Sequence, residues 1–169
     1  MRILTKGVIM DISAMIFPLK PAGICTALLC GIIIGLERQL SGKPTGIRTS
    51  SLICLGAYVF VSVAKIIDPG ESARIVAQII TGIGFLGAGV ILTREGIVSG
   101  VTSAAVIWVL AGIGILVGTE RYSSAVLISW IVVGILVGVN GLEAMFISLQ
   151  KGIYNKFRKN KNLSGEDAE

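Results

Sequence analysis

Four ionisable side chains lie in one short polar segment between two long apolar runs, in a chain of which only 15% is charged. They are Glu37, Arg38, Lys43 and Arg48, within residues 35–49. Charge beside a membrane is costly unless it serves a purpose. Arginine suits planar carboxylate or phosphate groups, and Glu37 could orient Arg38 or Arg48. The segment therefore indicates an anion, lipid-headgroup or partner-docking site, with a simple topology signal and ordinary ion pairs as the alternative.

Catalytic and metal chemistry have few candidates in this sequence. The chain contains no histidine, so the commonest general base and transition-metal ligand is missing. Cys25, Cys30 and Cys54 all fall in apolar runs, and their odd number and spacing fit neither a disulfide framework nor a zinc site. We interpret them as small buried hydrophobic residues. No catalytic residue, metal site or cofactor is expected, and we predict a protein that is not an enzyme.

The elements that position these charges are predicted from the apolar runs. The chain has 169 residues, of which 53% are hydrophobic, and this composition is typical of membrane proteins. Most runs approach the length of about 20 residues that a helix needs to cross a bilayer. We predict an all-α integral membrane bundle of five transmembrane helices over residues 21–36, 50–67, 75–93, 97–118 and 124–142. The first helix should continue through Glu37 and Arg38, where Arg38 can extend toward the interface.

Both termini are predicted to lie outside the bundle proper. Residues 1–20 read as a short amphipathic interfacial segment, because Ile9, Ile12 and Ile16 recur at helical spacing. The five-helix domain then covers residues 21–149. Residues 150–169 form a basic tail that is partly disordered, and the chain should end without a soluble domain.

Orientation follows from the distribution of lysine and arginine. With the tail inside, nine cations lie on that face and six on the other. We therefore predict a membrane protein with its N-terminus outside and its C-terminus in the cytoplasm. The bilayer accounts for the basic tail, so nucleic acid is not an expected partner. On this topology Glu37, Arg38, Lys43, Arg48, Arg94 and Glu95 converge on the cytoplasmic face, where the turn around Pro44 could hold Arg48 against the bundle.

Glycines recur four residues apart at Gly31/Gly35, Gly114/Gly118 and Gly134/Gly138. This spacing allows close approach of two helices in lipid. It serves either packing within one bundle or a contact in a homodimer or other homo-oligomer.

A second group, Gly82, Gly84, Gly87 and Gly89, matches the dinucleotide motif G-x-G-x-x-G. The motif lies in a membrane-length apolar run, and Ile107 and Trp108 stand where an acidic residue should follow. We reject nucleotide binding and expect a tightly packed helix, with local unwinding around a ligand as the alternative.

The opposite face and the third span carry the remaining polar residues of interest. Asp68 and Glu71 could bind magnesium, but a solvated turn at Asp68-Pro69-Gly70 with a Glu71–Arg74 pair is favoured. Gln78 and Thr81 would lie one turn apart in the membrane, either in interhelical hydrogen bonds or lining a pore.

Several motifs in fixed order resemble the MgtC/SapB family of bacterial inner-membrane proteins. They are Gly35-x-Glu37-Arg38-Gln39, Lys43-Pro44-Thr45-Gly46-Ile47-Arg48-Thr49, Ala73-Arg74-Ile75-Val76-Ala77-Gln78, Gly82-Ile83-Gly84-Phe85-Leu86-Gly87-Ala88-Gly89 and Gly100-Val101-Thr102-Ser103-Ala104-Ala105-x-x-Trp108. From these motifs and the charge and glycine patterns above, we select as binding or regulatory candidates Glu37, Arg38, Lys43, Arg48, Thr49, Arg74, Gln78 and Arg94, and as packing residues Gly31, Gly35, Gly82, Gly84, Gly87 and Gly89.

The resemblance implies a five-span domain with a cytoplasmic tail and a regulatory role. Members of the family are associated with magnesium homeostasis and growth in low magnesium, with virulence through survival in macrophages, and with restraint of the ATP synthase. A non-enzymatic membrane regulator acting on a membrane complex such as the ATP synthase is thus the leading hypothesis. A small magnesium channel or transporter is the alternative.

Overall fold

The computed structural model describes residues 17–94 and 97–139. Its elements in chain order are α1 Pro21–Leu40, α2 Ile47–Ile67, a 3-10 helix Pro69–Glu71, α3 Ser72–Ala88, β1 Leu92–Arg94, β2 Ile97–Ser99, α4 Val101–Gly118 and α5 Tyr122–Val139. Of the helices in this described part, α1, α2, α4 and α5 are long and apolar enough to cross a membrane, and α3 is shorter. The predicted all-α membrane bundle is confirmed.

The helix boundaries agree with the sequence-based prediction at the end of α1 and differ from it between α3 and α4. Helix α1 does continue through Glu37 and Arg38, as expected, and ends at Leu40. The third span, expected to reach Thr93, ends at Ala88, and the fourth, expected to begin at Ile97, begins at Val101. Between them β1 pairs with β2 in antiparallel order. Gly100 ends this hairpin with a left-handed φ of 88°. A side chain there would collide with the carbonyl oxygen of Val90, so glycine is required at this position.

Close helix contacts occur at two of the predicted glycine pairs. A Cβ atom at Gly31 would lie 2.5 Å from Ser51 Cα, and one at Gly35 would lie 2.6 Å from Ile47 Cα. These contacts join α1 to α2 in antiparallel order. Gly114 and Gly118 serve the same purpose between α2 and α4, which run parallel. Glycine allows backbone approach that any side chain would prevent.

The core lies between α1, α2 and α4 and is apolar. Its largest fully buried side chains include Ile34, Ile107, Leu110 and Ile113. The predicted burial of the cysteines is confirmed for Cys30 and Cys54. The Sγ atom of Cys54 donates a 3.2 Å hydrogen bond to Leu110 O. The prediction is wrong for Cys25, which is exposed on α1 because it faces away from α2 and α4.

The chain divides into two compact units, residues 1–133 and 134–169. The first contains α1 to α4 and most of α5, and the described part of the second is the end of α5 at 134–139. The predicted interfacial segment therefore lies outside the described residues up to position 16, and the predicted basic tail lies outside them entirely.

Candidate functional site at the α1–α2 end

The connection between α1 and α2, residues 41–46, places the polar segment at one end of the bundle; we call residues 37–49 the α1–α2 end. Gly42 and Thr45 both adopt a left-handed backbone, with φ of 63° and 73°. Thr45 is buried, its carbonyl accepts a 2.9 Å hydrogen bond from Ser50 Oγ, and its own hydroxyl has no partner among the described residues. A β-branched residue in this conformation is an outlier that its surroundings must hold in place.

Glu37 and Arg38 form a buried ion pair. Arg38 Nε and Nη2 donate to the two carboxylate oxygens of Glu37 at 2.6 and 2.9 Å. Ser41 Oγ donates to Glu37 Oε1 at 2.9 Å. Only 8% of Glu37 and 2% of Arg38 is exposed. The expectation that Arg38 extends toward the interface is therefore wrong, because its neighbour's carboxylate holds the guanidinium inside the bundle.

This pair is a structural neutralisation, not an open binding site. Two charges can be buried together when they hydrogen-bond to each other, whereas either one alone is expensive to bury. The Nε and Nη2 groups of the Arg38 guanidinium already form a bidentate hydrogen bond with Glu37. An external anion would have to displace that carboxylate to reach Arg38.

The remaining predicted residues at the α1–α2 end have side chains that point outward. Lys43, Arg48 and Thr49 are exposed, and neither Lys43 nor Arg48 forms an ion pair with a described residue. The prediction that the turn holds Arg48 against the bundle is wrong. Ser50 takes the buried side of this first turn of α2, so Arg48 projects from the other side. The end thus presents two cations above a neutral buried pair.

Three predicted site residues do not join the α1–α2 end in the part of the chain that the structure describes. Arg94 contributes backbone to β1, and its side chain, like all of Glu95, lies outside the described residues. Arg74 lies at the start of α3, at the opposite end of the bundle, and pairs with Glu71 as predicted. Gln78 lies in a groove between α2 and α3.

The opposite end of the bundle contains its own polar contacts. Lys20 Nζ lies 2.7 Å from Glu120 Oε2, with both side chains more than half exposed. This hydrogen bond, with the charge of Lys20, lowers the pKa of Glu120, and the same bond raises the pKa of Lys20. Tyr58 Oη, from the middle of α2, accepts a 2.7 Å hydrogen bond from Lys20 N and donates to Lys20 O. These contacts fix the start of α1 beside α2.

The two carboxylates considered for magnesium have local partners. Asp68 Oδ1 accepts a 2.9 Å hydrogen bond from Gly70 N and caps the 3-10 helix, which confirms the predicted turn. Glu71 pairs with Arg74. Across the described residues, no group of three or more acidic, cysteine or histidine residues could hold a metal ion.

A groove of about 870 Å³ separates α2 from α3; we call it the α2–α3 groove. Its walls run from Thr49 to Ile67 along α2 and from Ile75 to Leu86 along α3. Apolar side chains form nearly all of it, and Gln78 brings an amide into it. Thr81, the other predicted polar residue, donates to Ala77 O at 3.0 Å within its own helix.

The α3 glycines do not pack as expected among the described residues. Gly87 makes ordinary contact with Ala104 of α4 at 3.6–3.9 Å, and Gly89 meets carbonyl oxygens of its own helix. A Cβ atom at Gly82 or Gly84 would meet nothing within 4 Å. The expected tight packing is wrong at these two positions, because Gly82 lies on the wall of the α2–α3 groove and Gly84 lies in open space outside that groove. The helix is continuous through Gly82 and Gly84.

Sequence reasoning missed two participants. Ser41 lies four residues after Glu37, one helical turn, so this spacing could have indicated its hydrogen bond to the carboxylate. The contact of Tyr58 with Lys20 joins residues far apart in the chain, and no local pattern signals it.

Comparisons with known proteins agree on one family. The sequence profile of the MgtC family matches residues 24–145. "Protein MgtC" of Salmonella typhimurium LT2 is 47% identical over 100 residues, which cover 59% of this chain and 43% of that protein. "Putative magnesium transporter YhiD" of Escherichia coli K12 is 43% identical over 111 residues, covering 59% of this chain and 50% of that protein.

A more distant relative extends the comparison. "Protein MgtC" of Brucella abortus is 40% identical over 111 residues, covering 64% of this chain and 47% of that protein. The matched regions thus span about half the length of these curated relatives or less. No solved structure gives a significant match. Because the family profile covers most of the chain, including α1 from residue 24 onward and all of α2 to α5, this protein is a member of the MgtC family.

Proposed function

We propose that this protein is a non-enzymatic membrane regulator linked to magnesium homeostasis, and that it acts on a membrane partner through Lys43 and Arg48. The observation that carries the proposal is the division of charge at the α1–α2 end. Glu37 and Arg38 neutralise each other in the interior, while the two cations beside them are exposed and form no ion pair with a described residue.

The surroundings of these cations suit recognition more than solvation alone. Both are carried by a turn and a helix start that hydrogen bonds hold, among them Lys43 N to Arg38 O at 2.9 Å. A fixed backbone lowers the entropic cost of forming an ionic contact. The Arg48 guanidinium can bind a carboxylate or phosphate with two parallel hydrogen bonds, whereas Lys43 provides a point charge.

The proposed location of this surface is the cytoplasmic side of the inner membrane. If the tail lies on the same side as the α1–α2 end, as the sequence predicts, that side carries nine basic residues against six on the other, which supports a cytoplasmic location. The partner we propose is an acidic surface of a membrane protein complex, of which the ATP synthase is the example that the family resemblance offers. Anionic lipid headgroups have the same charge, and the test below separates them.

A magnesium channel or transporter is the second candidate. The name of the Escherichia coli relative favours it, and so does the amide of Gln78 inside the α2–α3 groove. The packing favours the regulator. The interior between α1, α2 and α4 is filled by Ile34, Ile107, Leu110 and Ile113, and a magnesium ion gives up its water shell only for well-placed oxygen ligands.

The proposal is tested with Arg48→Ala and Lys43→Ala, separately and together, in a strain that lacks its own copy and grows in low magnesium. The matched control is Lys65→Ala, which removes an exposed cation from the other end of α2. We expect the double variant to lose growth support at wild-type membrane abundance while Lys65→Ala keeps it. Equal growth of all variants would contradict a function at the α1–α2 end.

A crosslinking experiment then identifies what these cations contact. A photo-reactive amino acid at position 43 or 48 should capture a membrane protein, and the same amino acid at position 65 should not. Crosslinks to lipid alone would exclude the protein partner that we propose.

A further inference from the structure

Helix α3 is far less covered than its neighbours. All its residues are described, and Gly87 is the one that is buried, whereas α4 buries nine. Apolar side chains such as Phe85 and Leu86 are 83% and 52% exposed. The α2–α3 groove lies along one side of this helix. The question is what fills that groove in the bilayer.

The length of the groove favours another helix over a lipid chain. Its α2 wall, from Thr49 to Ile67, rises about 27 Å at 1.5 Å per residue, and its α3 wall, from Ile75 to Leu86, rises about 17 Å. The α2 wall approaches the hydrocarbon thickness of about 30 Å. A lipid tail belongs to one leaflet and covers about half that depth, whereas one transmembrane helix covers all of it.

Both walls of the groove carry a glycine that has no contact of its own. Gly56 lies on α2 and Gly82 on α3, and a Cβ atom at either would meet nothing within 4 Å. Glycine weakens a helix unless its small size is used. In lipid it is used where a second helix approaches closely. The open glycines therefore mark a surface suited to another backbone.

Gln78 adds a polar requirement to the same surface. Its amide projects into an otherwise apolar groove and makes no hydrogen bond within the described part of the chain. An unpaired amide in hydrocarbon costs free energy that a hydrogen-bonding partner recovers. A primary amide both donates and accepts, so one glutamine can satisfy another.

We propose that the occupant is a second copy of this chain, with α3 of each copy packed against the α2–α3 groove of the other. Two copies inserted in the same direction are related by a two-fold axis along the membrane normal, so each residue meets its counterpart at the same depth. Gln78 then pairs with Gln78 of the second copy. The contact is electrically self-compatible, because residues 75–88 contain no charged side chain. Arg74, at its edge, is neutralised by Glu71.

Dimerisation is measured by energy transfer between two populations of the full chain in lipid vesicles. Cys25 is exposed while Cys30 and Cys54 are buried, so a thiol dye labels the native protein at one position. Transfer is followed as the protein-to-lipid ratio rises, and a Cys25→Ser chain serves as the unlabelled control. We expect saturating transfer that excess unlabelled chain abolishes.

Three variants locate the interface. Gln78→Ala should raise the dimer dissociation constant about three- to tenfold, the range for one lost interhelical hydrogen bond. Gly82→Leu fills the groove and should raise it by about tenfold or more. Gly84→Leu is the matched control, since Gly84 is equally open but does not line the groove, and should change it by less than about twofold.

The possible results are decisive in either direction. Absence of transfer in the wild type at every density would mean that lipid fills the groove, and would overturn the proposal. So would a wild-type dimer that Gln78→Ala and Gly82→Leu leave unchanged, because the contact would then lie elsewhere. None of these outcomes depends on Lys43 or Arg48, so they leave the proposed function untouched.

Discussion

Breaking the Glu37–Arg38 pair should be far more harmful than replacing it. Arg38→Met leaves the Glu37 carboxylate in a site that is 8% exposed, with Ser41 as its remaining donor. Glu37→Gln leaves the guanidinium in a site that is 2% exposed without its counter-charge. Loss of one partner from a buried pair costs about 3–5 kcal/mol of unfolding free energy. The double variant removes both charges, so neither is left buried without its partner, and it should lose no more than about 1–2 kcal/mol.

The difference is a coupling that can be measured. If the two single losses were independent, the double variant would lose about 6–10 kcal/mol, so the expected coupling is at least about 4 kcal/mol. Arg38→Lys keeps the charge but loses the two-pronged hydrogen bonding, and should lose about 1.5–3 kcal/mol.

Cys30 and Cys54 provide the assay. Both are fully buried, so in a Cys25→Ser background a thiol-reactive dye reports unfolding in mixed micelles. Additive single losses, with a coupling below about 0.5 kcal/mol, would refute the assignment of a mutually dependent pair.

Two further predictions follow from the packing and from the opposite end. Gly31→Ala puts a methyl group 2.5 Å from Ser51 Cα and should lower the unfolding free energy by about 1–3 kcal/mol. Gly112→Ala, where space is open, should raise it by up to about 1 kcal/mol; equal effects would contradict the close α1–α2 contact. The Lys20–Glu120 pair lowers the pKa of Glu120 below its ordinary value of 4.5, so its stabilisation is present above that pH and is lost as pH falls through the lowered pKa. The melting-temperature difference between wild type and Glu120→Gln should accordingly vanish in acid, and a difference that persists there would disprove this linkage.

Local sequence patterns were enough for the helices but not for the packing of α3. Apolar runs long enough to cross a bilayer predict the described helices to within a few residues, with exceptions at the end of α3 and the start of α4. There the third run continues to Thr93 and the fourth begins at Ile97, but Leu92–Arg94 and Ile97–Ser99 pair as the strands of a hairpin instead. Hydropathy does not distinguish a helix from a strand in a short apolar stretch.

The candidate site shows the same division. The sequence indicates that charge gathers at residues 37–49, because charge near the membrane is rare and needs a reason. It does not reveal that Arg38 turns inward while Arg48 turns outward. Those directions depend on Ser50 occupying the buried face of α2 and on Ser41 reaching Glu37, which are contacts between helices and turns. Gly82 shows most clearly what the sequence leaves open, since a glycine in a membrane helix indicates close packing without telling which helix packs against it.

Magnesium flux into vesicles that contain only the purified full chain tests the central claim most directly. Regulation of a partner through Lys43 and Arg48 predicts no flux above that of protein-free vesicles, with or without an imposed membrane potential. Robust magnesium entry that Gln78→Ala abolishes, in a variant that still folds, would contradict this account and assign transport to the α2–α3 groove.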